Sequence, residues 1–260
     1  MSLQHLYLDD QILSEEAADS FELRVSADDV KHLKVLRAKV GEHVAVVDAA
    51  KDYFECEFVE LGGKLPLVRI CRHLNAPERP ELILVQGLAK GDKMETIIRH
   101  ATELGVSAFI PLASSRCVMK LDSKKKDRKL DRWRSIARSA AQQSGQPFVP
   151  EVLSPMSVLQ SAEALRGVTA VLVCWEEAPT SKSIREALDR GLVSHKILPA
   201  DARVALVVGP EGGLSSDEVG AYLDANPCAS LVSLGSSILR TETAGIVAPA
   251  LVLHELGCLG

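Results

Sequence analysis

The sequence predicts an α/β fold with a mostly parallel sheet for its larger part, preceded by a small β-rich unit. Three observations carry this reading. From residue 81 onward, apolar runs of strand length alternate with stretches whose apolar residues recur at helical spacing. Before residue 73 the apolar segments are short, pleated in pattern and punctuated by Gly, Asp and Pro. Between them lies HLNAPERP (73–80), a polar stretch with two prolines and the composition of a linker. The expected organisation is a β-barrel-like unit over 1–72, a linker over 73–80 and an α/β domain over 81–260.

In the first unit, FELRVS (21–26), EHVAVVD (42–48), YFECEFVEL (53–61) and PLVRIC (66–71) are the expected strands. One helix interrupts them over 28–40, with Val30, Leu33, Leu36 and Val40 at helical spacing. In the second unit ELILVQG (81–87) reads as a buried parallel strand. A helix over 92–106 sets Ile97, Ile98, Ala101 and Leu104 on one face, and SAFIPL is a strand. A helix over 130–145 turns Leu130, Trp133, Ile136, Ala137, Ala140 and Ala141 inward. VTAVLVCW, RVALVVG and ASLVSLG are further strands, with helices expected from about Ser215 and from Glu242 to Leu256. No internal repeat is present.

Hydrophobic residues make up 47% of the 260 and charged residues 25%, which excludes an intrinsically disordered chain. No apolar stretch approaches the ~18 residues of a membrane span. The N-terminus lacks the basic start and apolar core of a signal peptide, so the cytoplasm is the expected compartment and no membrane partner is expected. The six cysteines form no CxxC pair, so no metal centre is expected, and they read as reduced, mostly buried core residues.

A net charge of −5 argues against a general affinity for nucleic acid, but the charge is unevenly placed. Residues 1–30 hold eight acids and one base, whereas 116–138 hold ten bases and three acids. Such a local excess attracts phosphates whatever the total, because screening removes distant charge beyond roughly 8 Å in physiological salt. The plain alternative is a solvated helix face.

Three motifs stand out. GPEGGLSSDE (209–218) follows a strand and opens a helix. Ser215 and Glu218 fit a capping box, but capping leaves Gly209, Gly212 and Gly213 unexplained. Glycines beyond a strand end let backbone approach a ligand, and ligands gather there in open α/β sheets. The spacing is neither a Walker loop nor a dinucleotide fingerprint. SLGSSILRTETAG (233–245) repeats the strand–loop–helix plan, with Arg240 at the loop's end and Thr241 as a possible N-cap. In LAKGDKMETIIRHATELGV (88–106), Asp92 and Glu95 fit a helix-start box, while Lys90 and Lys93 oppose the helix dipole and so point to an anionic partner.

With HLKVLRAKVGE (32–42), PLASSRCVMK (111–120) and RWRSIARSAAQQSG (132–145), these segments resemble the 16S ribosomal RNA uracil-N3 methyltransferase family of the SPOUT superfamily. The matching pieces keep the family's order over nearly the whole chain. The chain departs from the family pattern at His5 and Gln146, where arginines are usual, and at Ala49, where Gly is common.

The resemblance implies a PUA-like barrel joined to a trefoil-knotted methyltransferase domain, a homodimer, and 16S rRNA of the small ribosomal subunit as partner. It implies S-adenosyl-L-methionine (SAM) as cofactor, held by Cys174, Trp175 and Glu176, by Gly209, Pro210, Gly212 and Gly213, and by Leu234, Gly235, Ile238, Leu239 and Thr241. A sulfonium is already a good electrophile, so no metal is needed. Arg240 is the candidate for stabilising charge on the uracil oxygens, and Glu242 or Glu211 for accepting the N3 proton. RNA contacts are expected from Arg37, with Lys31 and Lys34 beside it, and from Lys90, Lys93, Arg116, Lys120, Arg132 and Arg138. Two alternatives remain at this point: a SPOUT ribose 2′-O-methyltransferase, and a non-catalytic RNA-binding assembly factor.

Overall fold

The computed structural model describes residues 3–119, 123–178 and 180–259. The chain divides into two compact units, one of Met1–Pro77 with Ala141–Val149, the other of Glu78–Ala140 with Pro150–Gly260.

The N-terminal unit contains β1 (Gln4–Tyr7), β2 (Phe21–Glu22), α1 (Ala27–Val35), β3 (His43–Val47), β4 (Tyr53–Glu60) and β5 (Leu67–Leu74). Its sheet runs in the order β1-β3-β4-β5-β2, with β1 parallel to β3 and the other pairings antiparallel. Val44, Val46, Phe54, Phe58 and Val68 project into one core with Leu6 and Leu33. β1 was not among the expected strands.

Several details differ from the sequence reading. The strand expected over 21–26 ends at Glu22, because Ser26 already caps α1 by accepting from the Asp29 amide. α1 stops at Val35. Arg37 adopts a left-handed backbone (φ +56°), and the Arg37 and Ala38 amides close the helix on the Lys34 and Leu33 carbonyls. This is a Schellman ending with arginine where glycine is usual. Leu36 and Val40, expected on the inner face, are therefore exposed. β5 continues through His73 and Leu74, into the expected linker. Cys56 and Cys228 are buried, but Cys117, Cys174 and Cys258 are only half-buried and Cys71 is exposed. Cys71 is the extra residue of a β-bulge, since Glu55 pairs with Arg72 while Cys56 pairs with Ile70.

The second unit contains β6 (Glu81–Gly87), α2 (Lys93–Leu104), β7 (Ala108–Ala113), α3 (Ser123–Ser144), β8 (Glu151–Val152), β9 (Met156–Ser157), α4 (Val158–Ala164), β10 (Ala170–Cys174), α5 (Ile184–His195), β11 (Arg203–Val208), α6 (Ser216–Ala225), β12 (Ala229–Val232) and α7 (Thr241–Glu255). The last turn of α3 counts with the other unit. The sheet order is β12-β10-β11-β6-β7-β8, with β9 also on β7, and every pairing is parallel.

Strand alternation builds two apolar layers. Leu82 and Leu84 of β6 join Ile97, Trp133, Leu188 and Val252, from α2, α3, α5 and α7. Ile83 and Val85 join Ala162, Val219 and Tyr222, from α4 and α6. Buried on both faces, the strands read as continuous apolar runs. The arrangement places the ends of β10, β11 and β12 side by side, with a loop leaving each.

Candidate active site

These three loops enclose a cavity of about 530 Å³, within the range of small-molecule sites. Cys174, Trp175 and Glu176 line it from the end of β10. Gly209, Pro210, Glu211 and Gly213 line it from the loop after β11, and Leu234, Gly235, Ile238, Leu239, Arg240 and Thr241 from the loop after β12. Gly212 does not line it: a Cβ there would lie 3.0 Å from the Cβ and carbonyl oxygen of Arg116. Gly213 is a glycine that the cavity wall requires, with φ +67° and a hypothetical Cβ 2.5 Å from Glu176 Oε1. Burial pushes the Cys174 thiol up to about 12, so it serves as a neutral wall residue.

A buried polar chain holds two of the loops together. Thr241 Oγ1 donates to the Gly209 carbonyl at 2.7 Å and accepts from Gln86 Nε2 at 2.9 Å. Thr241 is thus the first helical residue of α7 and not its N-cap, which is Arg240. α7 crosses β6 closely enough that a Cβ on Gly245 would lie 2.5 Å from Gln86 Oε1. Gly87 faces the Pro210 amide nitrogen, where a Cβ would stand at 2.2 Å.

On the cavity rim, Lys93 Nζ bridges Glu211 Oε1 at 3.1 Å and Glu242 Oε2 at 3.0 Å. Glu211 also accepts from the Lys90 amide at 3.1 Å. The hydrogen bond to Glu242, then that to Glu211, raises the Lys93 ammonium above the usual lysine range. Glu242 is held below the usual carboxylate range first by its own amide and then by Lys93. Burial alone would raise Glu211, but its own amide, the Lys90 amide and Lys93 together outweigh that and lower it. All three groups are therefore charged at neutral pH. The helix-start box expected at Asp92 is absent: its side chain makes no cap hydrogen bond, and Glu95 instead pairs with Arg132 at 2.5 and 2.6 Å.

Arg240 is exposed at the N-terminus of α7, where the helix dipole disfavours a cation. Some of the other cations in the regions expected at RNA are engaged within the protein, and others are not. Arg116 reaches the Gly212 and Leu214 carbonyls, each at 3.3 Å, and Glu177 at 3.4 Å. Arg134, in the same basic run, donates to the Val152 carbonyl. Arg138 is half-buried, Lys90 is exposed beside Glu211, and Arg37 is exposed in the N-terminal unit. Lys120 and the side chains of Lys124 and Lys125 lie outside the described residues.

Residues 77–253 match the model of an RNA methyltransferase domain family. The chain is 36% identical over 219 residues to ribosomal RNA small subunit methyltransferase E of Mycobacterium bovis, covering 82% of this chain and 79% of that one. It is 34% identical over 236 residues to the protein of the same name from Bacillus subtilis, covering 89% of each. The chain belongs to the ribosomal RNA small subunit methyltransferase E family. A methyltransferase from Legionella pneumophila, solved with its cofactor SAM bound, shares the fold with a TM-score of 0.75 and 26% identity over 98% of each chain.

Within this small subunit methyltransferase E chain, Gln86, Gly87 and Ser233 lie outside the residues the sequence points to. ELILVQG reads as a plain buried strand, although a glutamine and a glycine at the carboxyl end of an apolar run are a usable signal. Nothing in the spacing linked Gln86 to Thr241, 155 positions away.

Proposed function

We propose that this chain transfers the methyl group of SAM to N3 of a uridine in 16S ribosomal RNA. SAM-dependent methylation of ribosomal RNA is the activity of its family. The observation that carries the finer reading is the rim of the cavity, where Arg240 stands beside the Lys93–Glu211–Glu242 cluster. N3 of a neutral uracil carries a proton that must leave, and charge then develops on the flanking oxygens. That chemistry calls for a cation and a carboxylate at one edge of the ligand space.

The residues present fit SAM. Two glycine-containing loops supply backbone groups, and Leu234 and Leu239 supply apolar wall for an adenine ring. When bound, SAM supplies an electrophilic methyl that requires no metal. Arg240 offers a permanent cation to the uracil oxygens. Glu211 lines the cavity and Glu242 does not, so Glu211 takes the proton, while Lys93 keeps it ionised and oriented. Ile238 covers the ligand from the outer edge.

The proposal includes the architecture and assembly implied by the family resemblance. α7 leaves edge strand β12 yet packs on α2, β6 and β11 across the sheet, which supports a threaded, trefoil-knotted segment. The mostly antiparallel five-stranded sheet around one core supports a PUA-like barrel. Exposed Ile238, Val247 and Leu251 on α7 and its entry loop support a homodimer. The proposed workplace is the cytoplasm; among the described residues no helix is long and apolar enough to cross a membrane.

Nucleoside mass spectrometry tests the reading. Incubating the chain with SAM and 16S rRNA or small subunits should yield 3-methyluridine. Ribose 2′-O-methyluridine would overturn the N3 assignment. SAM binding without methylation of any RNA would favour the assembly-factor reading.

A further inference from the structure

We propose that the N-terminal unit carries a pocket for one unpaired nucleotide of the RNA, built at the C-terminal end of α1. This rests on the reading of RNA as substrate and adds a site distinct from the methyl-transfer cavity. The pocket holds about 160 Å³. Its floor is apolar, formed by Val30, Leu33 and Ala38 from α1 and its end, and by Leu61 and Leu65 from the β4–β5 turn. Lys34, Arg37 and Lys64 stand around it, and no carboxylate lines it.

The charge pattern is the first argument. Of the nine lysines and arginines in the acidic N-terminal unit, four are in ion pairs, Arg24 with Glu16, Lys31 with Asp28, Arg69 with Glu57, and Arg72 with Glu55, and three of the remaining five surround this one pocket. Among the described residues Lys34, Arg37 and Lys64 make no ion pair, and all three are exposed. Three unneutralised cations around an apolar floor complement a nucleotide, with its base on the floor and the flanking phosphates on the rim.

The second argument is conformational. Arg37 occupies the left-handed position of a Schellman ending, which glycine fills without strain and a side chain does not. Helix termination gains nothing from the guanidinium there, and its side chain lines the pocket. A strained residue held at a ligand-sized concavity is the pattern of a binding position.

A base lying on Leu33 and Leu65 must be free of its partner strand, so single-stranded RNA should bind better than duplex. The probe is a short fluorescein-labelled RNA of mixed sequence, as a single strand and annealed to its complement, followed by anisotropy with the full chain. Arg37→Gly should weaken single-strand binding about tenfold, the effect of losing one charge-assisted contact. Its thermal unfolding should be unchanged or higher, because glycine relieves the left-handed strain. Replacing Lys34, Arg37 and Lys64 together should flatten the log–log salt slope by roughly 2, at about 0.7 per phosphate contacted. Leu65→Ser should reduce the preference for the single strand. SAM affinity by calorimetry should stay at the wild-type value in every variant, and KM for RNA should rise while kcat holds.

Unchanged affinity and slope in the triple variant would overturn the pocket. So would loss of affinity on removing the cations with the single-strand preference intact in Leu65→Ser, which would leave only a phosphate patch. Failure of the wild type to methylate any RNA would instead count against the proposed function, and is read in a separate assay.

Discussion

Arg240 and Lys93 are both cations at the cavity rim, but their surroundings assign them different work. Arg240 projects from the N-terminus of α7 with Glu242 as its neighbour in sequence and charge. If it stabilises charge present only in the transition state, Arg240→Ala should lower the single-turnover rate by about 10²–10³ while SAM affinity changes little. Arg240→Lys should recover only part, lacking the planar fork of donors. Equal losses in rate and SAM affinity would make Arg240 a cofactor-positioning residue.

Lys93 is fully engaged by two carboxylates, so its removal should act through them. In Lys93→Met both glutamates lose a partner that lowers their pKa, and the acidic limb of the rate–pH profile should move up. Stability follows the same linkage. The lowered pKa values of Glu211 and Glu242 contribute stability above the ordinary carboxylate range, lost as pH falls through the lowered values. The raised pKa of Lys93 contributes below the ordinary lysine range, lost as pH rises through the raised value. The melting difference between wild type and Lys93→Met should therefore be widest between the two ranges and shrink at both extremes. A difference independent of pH would show that the cluster does not contribute through charge.

At the scale of elements, the cavity depends on loops that approach one another without side chains between them. Gly87 ends β6 against the Pro210 nitrogen, and Gly213 turns its loop against Glu176. Gly87→Ala puts a methyl into backbone, which cannot move aside as a side chain can. It should destabilise by about 1–3 kcal/mol, the usual range for overpacking, and weaken SAM binding by displacing the 209–213 loop. Gly213→Val combines an unfavourable φ with contact to the flexible end of Glu176, so its main effect should be on SAM affinity, with a fold cost of about 1 kcal/mol. Calorimetry and thermal unfolding separate the two, and wild-type SAM affinity in a folded Gly213→Val would dissociate the loop from the cofactor.

For the whole molecule, the proposed homodimer gives a prediction of its own. α7 is buried along Ala244, Ala248, Val252 and Leu253 but leaves Val247 and Leu251 exposed on its other side. A charge there cannot be buried without a partner, at a cost that typically exceeds what one apolar contact supplies. Leu251→Lys should shift the chain to monomer in sedimentation equilibrium, with unchanged far-ultraviolet circular dichroism. Because Ile238 of the cavity loop lies next to the same helix, methylation should fall with dimer content. A dimer that survives Leu251→Lys would place the interface elsewhere.

Periodicity alone determined the α/β plan of the second unit, since strands buried on both faces and helices buried on one leave different apolar patterns. It also exposed the two glycine loops and the Ser215–Glu218 capping box, because capping and tight turns are local and their residues lie within a few positions. The family resemblance supplied what spacing could not, namely SAM, RNA and the roles of Cys174, Trp175 and Glu176 after β10. Only the tertiary structure decided which side chains meet. Gln86 and Thr241 find each other across 155 positions, and Lys93 joins carboxylates from two other loops. Gly212 turns toward Arg116 while its neighbour Gly213 faces the cavity, a difference of backbone angle that two identical letters cannot carry. Likewise the basic run was legible as charge, but Arg116 and Arg132 are bound to protein groups far away in sequence. Composition counts charges, whereas long-range contacts determine which of them remain available to a ligand.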